Sequence, residues 1–137
     1  MTYLLLVRHD EETLGTFSEA TRREMLPESV QLTHQLHAQG QYRSAAPLHP
    51  ASQAVIVRVR DGKKFVTDGP FAETREQLGG YFLIEARDLD EAIGIAARIP
   101  PARKGTVEVR PVLELAGLPT GQIGGSEVSV PTTICTH

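Results

Sequence analysis

The chain has 137 residues, of which 40% are hydrophobic, and a formal net charge of −3. This length and composition are typical of one domain with one hydrophobic core. The lack of a basic excess argues against nucleic acid as a partner. The longest apolar run, Leu4 to Val7, is too short to cross a bilayer, so no membrane is expected. Cys135 is the single cysteine and cannot form an intrachain disulfide, and we expect a cytoplasmic protein.

The first third of the chain predicts a strand, a helical region and a second strand. Residues 3–7 form a continuous apolar run followed by polar residues, as expected of a buried strand. Pro27 removes a backbone donor and disfavours helix at the residue before it. We therefore predict a short helix at 18–25 and a longer one at 27–39. Residues 42–48 are expected to form an edge strand.

The middle of the chain contains a β-hairpin signal. Asp61-Gly62 separates the runs 54–60 and 63–67, and this residue pair favours the positive φ angles of a type I′ turn. We next predict one helical turn over 73–78, ended by the glycine pair 79–80.

The remaining elements are a strand, a helix and a last strand. Residues 81–86 are strongly apolar, as in a buried strand. Asp88 is followed three residues later by Glu91, which is a capping pattern for a helix that Pro100 ends. The last strand is predicted over 106–110, where valines alternate with charged residues.

This order of elements predicts an α+β domain over 1–116 and a tail over 117–137 that is flexible or ordered by a partner. Two main helices can cover only one face of an antiparallel sheet. The apolar runs at 4–7, 55–57 and 81–84 place side chains on both faces, so the second face needs cover. A second copy packed sheet to sheet would make a homodimer. The alternative is cover by the tail, which carries few large apolar residues.

One stretch resembles a known family. Residues 66–81, Val-Thr-Asp-Gly-Pro-Phe-Ala-Glu-Thr-Arg-Glu-Gln-Leu-Gly-Gly-Tyr, are similar to the DGPF branch of the YCII-related family. Weaker likenesses cover the opening strand at 3–7, the hairpin at 57–62, the helix start at 88–92 and the closing strand at 107–111. The resemblance implies a ferredoxin-like sandwich, with an antiparallel sheet and two helices on one face, that pairs as a dimeric α/β barrel.

The resemblance also implies a candidate chemistry. Some YCII-related proteins are described as holding a His-Asp pair in a pocket, and one relative eliminates chloride from a chloroaromatic compound. A neutral imidazole held by a carboxylate can take a proton from a phenol or enol while the leaving group departs. Asp68 would be the carboxylate here. The positions where relatives carry the histidine correspond to Ser29 and Lys104, so His49 is the first candidate partner of Asp68 and His9 the second.

Ligand binding is the other role that these residues suggest. Arg75, with Glu73 beside it, would hold a small acidic ligand through its guanidinium, and the alternative for both residues is a surface salt bridge. Asp68 would equally serve a turn by satisfying backbone donors alone, and His49 would equally be a solvent-exposed loop residue.

No metal or cofactor site is predicted. His34 and His37 are three residues apart but have no acidic or cysteine ligand at a usable spacing. The glycine pairs at 79–80 and 124–125 lack the spacing of a phosphate-binding loop.

Two functions remain. We favour a dimeric protein that binds a small molecule or a protein partner near the turn at 68–71, without turnover. The alternative is a small enzyme that uses His and Asp for elimination or isomerisation of a small organic acid or phenol.

Overall fold

The computed structural model describes residues 1–10, 19–70, 76–103 and 105–119, with the backbone alone for 19–24. The described elements, in chain order, are β1 (Thr2–Asp10), α1 (Glu19–Ala38), β2 (Tyr42–Pro47), β3 (Val55–Arg60), β4 (Lys63–Asp68), β5 (Glu76–Glu85), α2 (Leu89–Ala96) and β6 (Thr106–Pro111). Short 3-10 turns occupy Ala51–Gln53 and Pro100–Arg103.

The main sheet has four antiparallel strands in the order β2-β5-β1-β6. β1 and β5 are its long central strands, and β2 lies at one edge, as its position between a helix and a proline-rich loop predicts. This arrangement, with α1 following β1 and α2 following β5, is an α+β architecture consistent with a ferredoxin-like fold.

The hydrophobic core lies between one face of the sheet and the two helices. Burial alternates along β1, where Tyr3, Leu5 and Val7 are buried, as it does along β5. The helical residues of the same cluster come from α1 and from α2 with the segment that follows it. They are Leu32, Leu36, Ala92, Ile95, Ala96 and Ile99. Both helices therefore pack on the same face of the sheet, as expected.

The hairpin of β3 and β4 forms a separate two-stranded sheet. Asp61 has a φ of 53° and Gly62 a φ of 75°, which confirms the predicted type I′ turn. The expectation that residues 55–57 belong to the main sheet is wrong, because β3 pairs with β4 and β2 occupies the edge beside β5. The alternation of apolar residues indicates a strand but does not say which sheet the strand joins.

α1 is continuous through Pro27, so the predicted break into two helices is wrong. A proline removes one helical hydrogen bond and bends the helix, which is a cost rather than an absolute stop. The turns that follow Pro27 bury Leu32 and Leu36 against the sheet, and this burial maintains the helix. Within the described chain, no helix has both the length and the apolar content needed to cross a membrane.

Gly79 and Gly80 lie inside β5, so the helical turn predicted to end at them is wrong over 76–78, and residues 73–75 lie outside the described residues. A side chain at Gly80 would place its Cβ 2.9 Å from the Ala46 carbonyl oxygen on the neighbouring strand. The glycines therefore permit a close approach of neighbouring chain segments. The register between β1 and β5 shifts between Val7 and Arg8, beside this glycine pair.

α2 begins as predicted. The Asp88 side chain accepts a hydrogen bond from the Glu91 backbone N–H at 2.9 Å, which satisfies a donor of the first turn. Asp90 and Glu91 add negative charge at the positive end of the helix.

The amino terminus is held to β5 by Glu85. Partial burial raises the pKa of this carboxyl, but the Thr2 hydroxyl, the Arg43 guanidinium and the chain's amino group more than offset it and leave the pKa lowered. Arg43 lies 2.8 Å from one Glu85 oxygen and the amino group of Met1 3.3 Å from the other. The ionised carboxylate therefore stabilises the folded chain.

Candidate functional site

A cavity of about 250 Å³ opens between the sheet and α1, and we call it the His9 cavity. Its walls come from β1, β2, β5, α1 and the segment after α2. The residues that line it are Val7, His9, Leu26, Ser29, Val30, Thr33, Tyr42, Ala45, Ala46, Pro47, Gly79, Gly80, Tyr81, Phe82, Ile99 and Pro101. Most of these side chains are apolar, which is typical of small-molecule sites.

His9 reaches this cavity from β1. It follows Val7 by two residues and therefore extends the inward-facing series of that strand. Its imidazole occupies the space into which a side chain at position 79 would project, so a Cβ there would overlap the ring. Gly79 thus leaves room for the ring beside the β5 backbone.

The two ring nitrogens of His9 differ in environment. Nδ1 is buried and has no hydrogen-bond partner among the described residues. Nε2 is not among the buried, unpaired polar atoms of the described chain, and His9 lines the cavity. Because no described group pairs with Nδ1, neither neutral tautomer of the imidazole is fixed by a hydrogen bond on that side.

The other polar groups of the cavity wall are hydroxyls. Ser29 and Thr33 extend from α1, and Tyr42 from the start of β2. The Thr33 hydroxyl donates to the Val30 carbonyl at 2.6 Å, which is a bond within the helix. The described lining includes no Asp, Glu, Lys or Arg side chain.

Two side-chain pairs tie α1 to the segment that closes the cavity. Arg103 makes a bidentate contact with Glu28, at 3.1 Å on both oxygens, and Arg98 donates to the Gln35 side chain at 2.7 Å. The hydrogen bond from Arg103 lowers the pKa of Glu28, and the same bond raises the pKa of Arg103. Both groups are exposed, so the pair orients the helix more than it stabilises the fold.

A second cavity, of about 580 Å³, lies beside the predicted turn, and we call it the turn cavity. His49 and Pro70 line it together, as do Arg8 and Gln77. Arg8 contributes a guanidinium that lies 3.3 Å from a Glu108 carboxylate oxygen. None of the described residues lines both cavities.

The predicted site residues fall into separate places. His49 lies with Pro70 in the turn cavity, and Asp68 is exposed at the end of β4, opposite Val55. No hydrogen bond joins Asp68 to His49 in the described part of the chain. His9 belongs to the other cavity. Arg75 and Glu73 lie outside the described residues.

From the sequence, His9 was the second candidate partner of Asp68, and Arg8 was not identified as a site residue. The alternation of Tyr3, Leu5 and Val7 along β1 was the available signal, since position 9 continues it on the core side and position 8 falls on the opposite side. For metals, the described residues contain no group of three or more His, Cys, Asp or Glu that could hold an ion.

Comparison with known proteins gives the family. The family model of the YCII-related domain matches residues 1–116. An uncharacterised protein of Rhizobium meliloti (strain 1021) is 33% identical over 114 residues, which make up 82% of this chain and 92% of that relative. The chain therefore belongs to the YCII-related family.

Proposed function

We propose that this chain is a small-molecule-binding protein and that the His9 cavity is its binding site. The observation that carries the proposal is a cavity of about 250 Å³ with an apolar wall in which His9 is the one imidazole among the described lining residues. Apolar pockets with a few polar groups are the usual form of small-molecule sites.

The geometry supports binding in two further ways. Leu26 and Val30 remain 57% and 54% exposed on α1 although they line the cavity, so a bound molecule would remove apolar surface from water. The Glu28–Arg103 pair joins α1 to the segment that carries Pro101, and so connects two walls of the cavity.

The test adds p-xylene, an apolar probe, to the isotope-labelled protein and measures its binding by two-dimensional NMR. We expect saturable shifts of the backbone amides of Gly79, Ala45 and Ile99, which surround the cavity. Ala45→Leu should fill the space and abolish the shifts. Ala97→Leu adds the same bulk at an exposed position after α2 and should leave them unchanged. No saturable shift, or shifts confined to other residues, would refute the proposal.

The turn cavity is a second candidate, for a small organic acid. It brings together His49 and Pro70, which belongs to the Asp68-Gly69-Pro70-Phe71 motif, and it adds the guanidinium of Arg8. Arg8 would attract an anion, although Glu108 already shares its charge. On the same motif we propose that the chain belongs to the DGPF branch of the family.

Catalysis at the turn cavity would require Asp68 to pair with His49. General acid–base chemistry on a small acid or phenol needs the carboxylate within hydrogen-bonding reach of the imidazole. NMR of the ring nitrogens of the five histidines in wild type and Asp68→Asn tests this pairing. If His49 is paired with Asp68, its ring-nitrogen shifts should change in the variant while those of the other four histidines stay the same. Unchanged shifts of all five would leave the elimination or isomerisation hypothesis without its acid–base pair.

We also propose that the protein is a homodimer with the sheets face to face. The face of the main sheet opposite the helices carries Leu4, Leu6, Tyr81 and Leu83, all of them only half-buried in the isolated chain. Packing this face against a second copy would remove apolar surface from water.

A further inference from the structure

The hairpin of β3 and β4 carries an exposed apolar surface. Val55, Val57, Val59 and Val66 lie on one side of it, since residues opposite each other share a face, and we call this side the valine face. Each of these valines is more than half exposed. In the described chain the two strands pair only with each other. A two-stranded hairpin is marginally stable in water, and a third strand with an apolar face stabilises such a sheet.

We infer that residues 127–132 of the same chain add to this hairpin as a third strand, antiparallel to β3. The segment lies outside the described residues, and it also lies beyond residues 1–116, which match the YCII-related domain. Such a pairing goes beyond the proposed function and beyond what the family implies.

The sequence of this segment is typical of an edge strand. Positions 128, 130, 132 and 134 hold Val, Val, Thr and Ile, all of them β-branched. Pro131 falls between them and has no N–H, so it is tolerated in a strand only where the backbone points away from the neighbouring strand. Alternate residues of an antiparallel strand point to opposite edges. Residues 128, 130 and 132 must therefore direct their backbone groups toward the hairpin.

The outer edge of β3 offers backbone groups with the matching alternation. The two-residue turn makes Arg60 and Lys63 a hydrogen-bonded pair, so the even-numbered residues of β3 are those that bond β4. The Ala54 carbonyl continues this series, since it accepts from the Gly69 N–H at 2.8 Å. The odd-numbered residues of β3, which belong to the valine face, therefore direct their N–H and C=O groups outward.

One register satisfies the alternation of both strands. It places Val128 opposite Val59, Val130 opposite Val57 and Thr132 opposite Val55. Because paired residues share a face of the sheet, the two valines of the segment extend the valine face.

The charges of the two parts are complementary. Residues 55–68 hold four Lys or Arg and two Asp, in a chain whose formal net charge is −3. Residues 120–137 hold no Lys or Arg and one acid, Glu127. The register given above places Glu127 opposite Arg60, on the face away from the valines, where opposite charges favour the pairing.

The segment is long enough to reach the hairpin. The Val112 N–H donates to the Thr2 carbonyl at 2.9 Å, so the chain leaves β6 beside the start of β1, and it then turns at Gly117, whose φ is 94°. Arg8, toward the other end of β1, borders the turn cavity at the base of the hairpin. The link from 119 to 127 extends to about 28 Å, against roughly 20 Å along β1 from Thr2 to Arg8.

Hydrogen exchange in the full chain tests the pairing. We expect the amides of Val55, Val57 and Val59 to exchange about tenfold more slowly than the amide of Val66, because three cross-strand pairs together stabilise the added strand by about that factor. Val66 is the internal control, since its backbone points outward from β4, on the edge that stays open. If the three β3 amides exchange as fast as that of Val66, the outer edge of β3 is open and the inference is overturned.

Two proline variants one residue apart test which residues bond the hairpin. Val130→Pro removes an N–H that faces β3, so the protection of the three β3 amides should be lost. Ser129→Pro removes an N–H that points away, as Pro131 already does, and should leave them protected. Amides of β1 and β5 should be unchanged in both variants, which shows that the main sheet is intact. Protection that survives Val130→Pro would mean that something else covers the edge, and would overturn the inference.

A spin label on Cys135, the single cysteine, identifies the chain that supplies the strand. Within one chain the label should broaden the amide of Val55 more than that of Gly62, because residue 135 follows the end of the segment paired beside Val55. The control mixes isotope-labelled chains that lack the spin label with spin-labelled chains that lack the isotope. Equal broadening in this mixture would assign the strand to a second copy and overturn the pairing within one chain.

Discussion

At the scale of single residues, the contact between His9 and Gly79 determines the shape of the candidate site. The imidazole lies where a side chain on β5 would lie, and its Nδ1 is buried there without a partner in the described chain. The glycine therefore leaves room for a polar ring whose Nδ1 has no hydrogen-bond partner in the described part of the chain.

Gly79→Ala should lower the free energy of unfolding by about 1–3 kcal/mol, because the new methyl group overlaps the His9 ring and one of them must move. Urea denaturation measures the change. Gly94→Ala is the matched control, since nothing lies within 4 Å of its added Cβ on α2. That variant should raise stability by about 0.5–1 kcal/mol through helix propensity. Equal effects of the two substitutions would contradict the close packing of His9.

Glu85→Gln should destabilise the fold at neutral pH and have no effect in strong acid. The pKa of Glu85 is lowered in the folded chain, so its stabilisation is present above the unfolded pKa and is lost as the pH falls through the folded pKa. We expect a loss of up to about 1 kcal/mol at pH 7, measured by urea unfolding across pH. Glu114→Gln, at an exposed position, should change little at any pH. A pH-independent loss in Glu85→Gln would show that charge is not the cause.

At the scale of elements, some features are determined by residues close in sequence and others by packing between distant parts of the chain. Asp61-Gly62 and the Asp88 cap depend on interactions a few residues apart, so the sequence was enough to locate the hairpin and α2. Pro27 and the Gly79–Gly80 pair were misinterpreted because their environment is set by distant residues. Burial of Leu32 and Leu36 maintains α1, and pairing with β1 makes the glycines part of a strand.

Asp88→Ala should cost about 1 kcal/mol of stability through loss of the cap on α2. Asp88→Asn should cost clearly less, because its amide oxygen still accepts from the Glu91 N–H. Chemical denaturation of the two variants gives the comparison. If the asparagine variant loses as much stability as the alanine variant, the carboxylate acts through its charge. One partner for that charge is Arg87, whose Nε lies 3.9 Å from Asp88 Oδ2.

At the scale of the whole molecule, the architecture was predictable and the location of the site was only partly so. The order of strands and helices follows from periodicity, and one core cluster joins both helices to the sheet. The position of the cavity follows from the register of β1 on β5 and from the angle of α1, neither of which is encoded within a short window. His9 was nevertheless detectable as the fourth member of the alternating series in β1.

The proposed dimer predicts a twofold mass at micromolar concentration by light scattering. Its interface should exceed about 1,000 Å², the usual minimum for a specific contact. Leu83→Arg, on the open face of the sheet, should yield a folded monomer because it buries a charge at the proposed interface.

Val57→Arg serves as the comparison for the dimer, since Val57 is 60% exposed on the separate hairpin. This variant should remain a dimer if the open face of the sheet is the interface. If Val57→Arg dissociates the dimer and Leu83→Arg does not, the interface lies at the hairpin. A monomeric wild type would exclude the dimer.

The overlap between a Cβ at position 79 and the His9 ring also links two positions in evolution. A homologue that carries any side chain at 79 has room for it only if position 9 is small, and a homologue with a large residue at 9 must keep glycine at 79. The two sites, 70 residues apart in sequence, should therefore covary in this direction across YCII-related sequences that keep the register of β1 on β5.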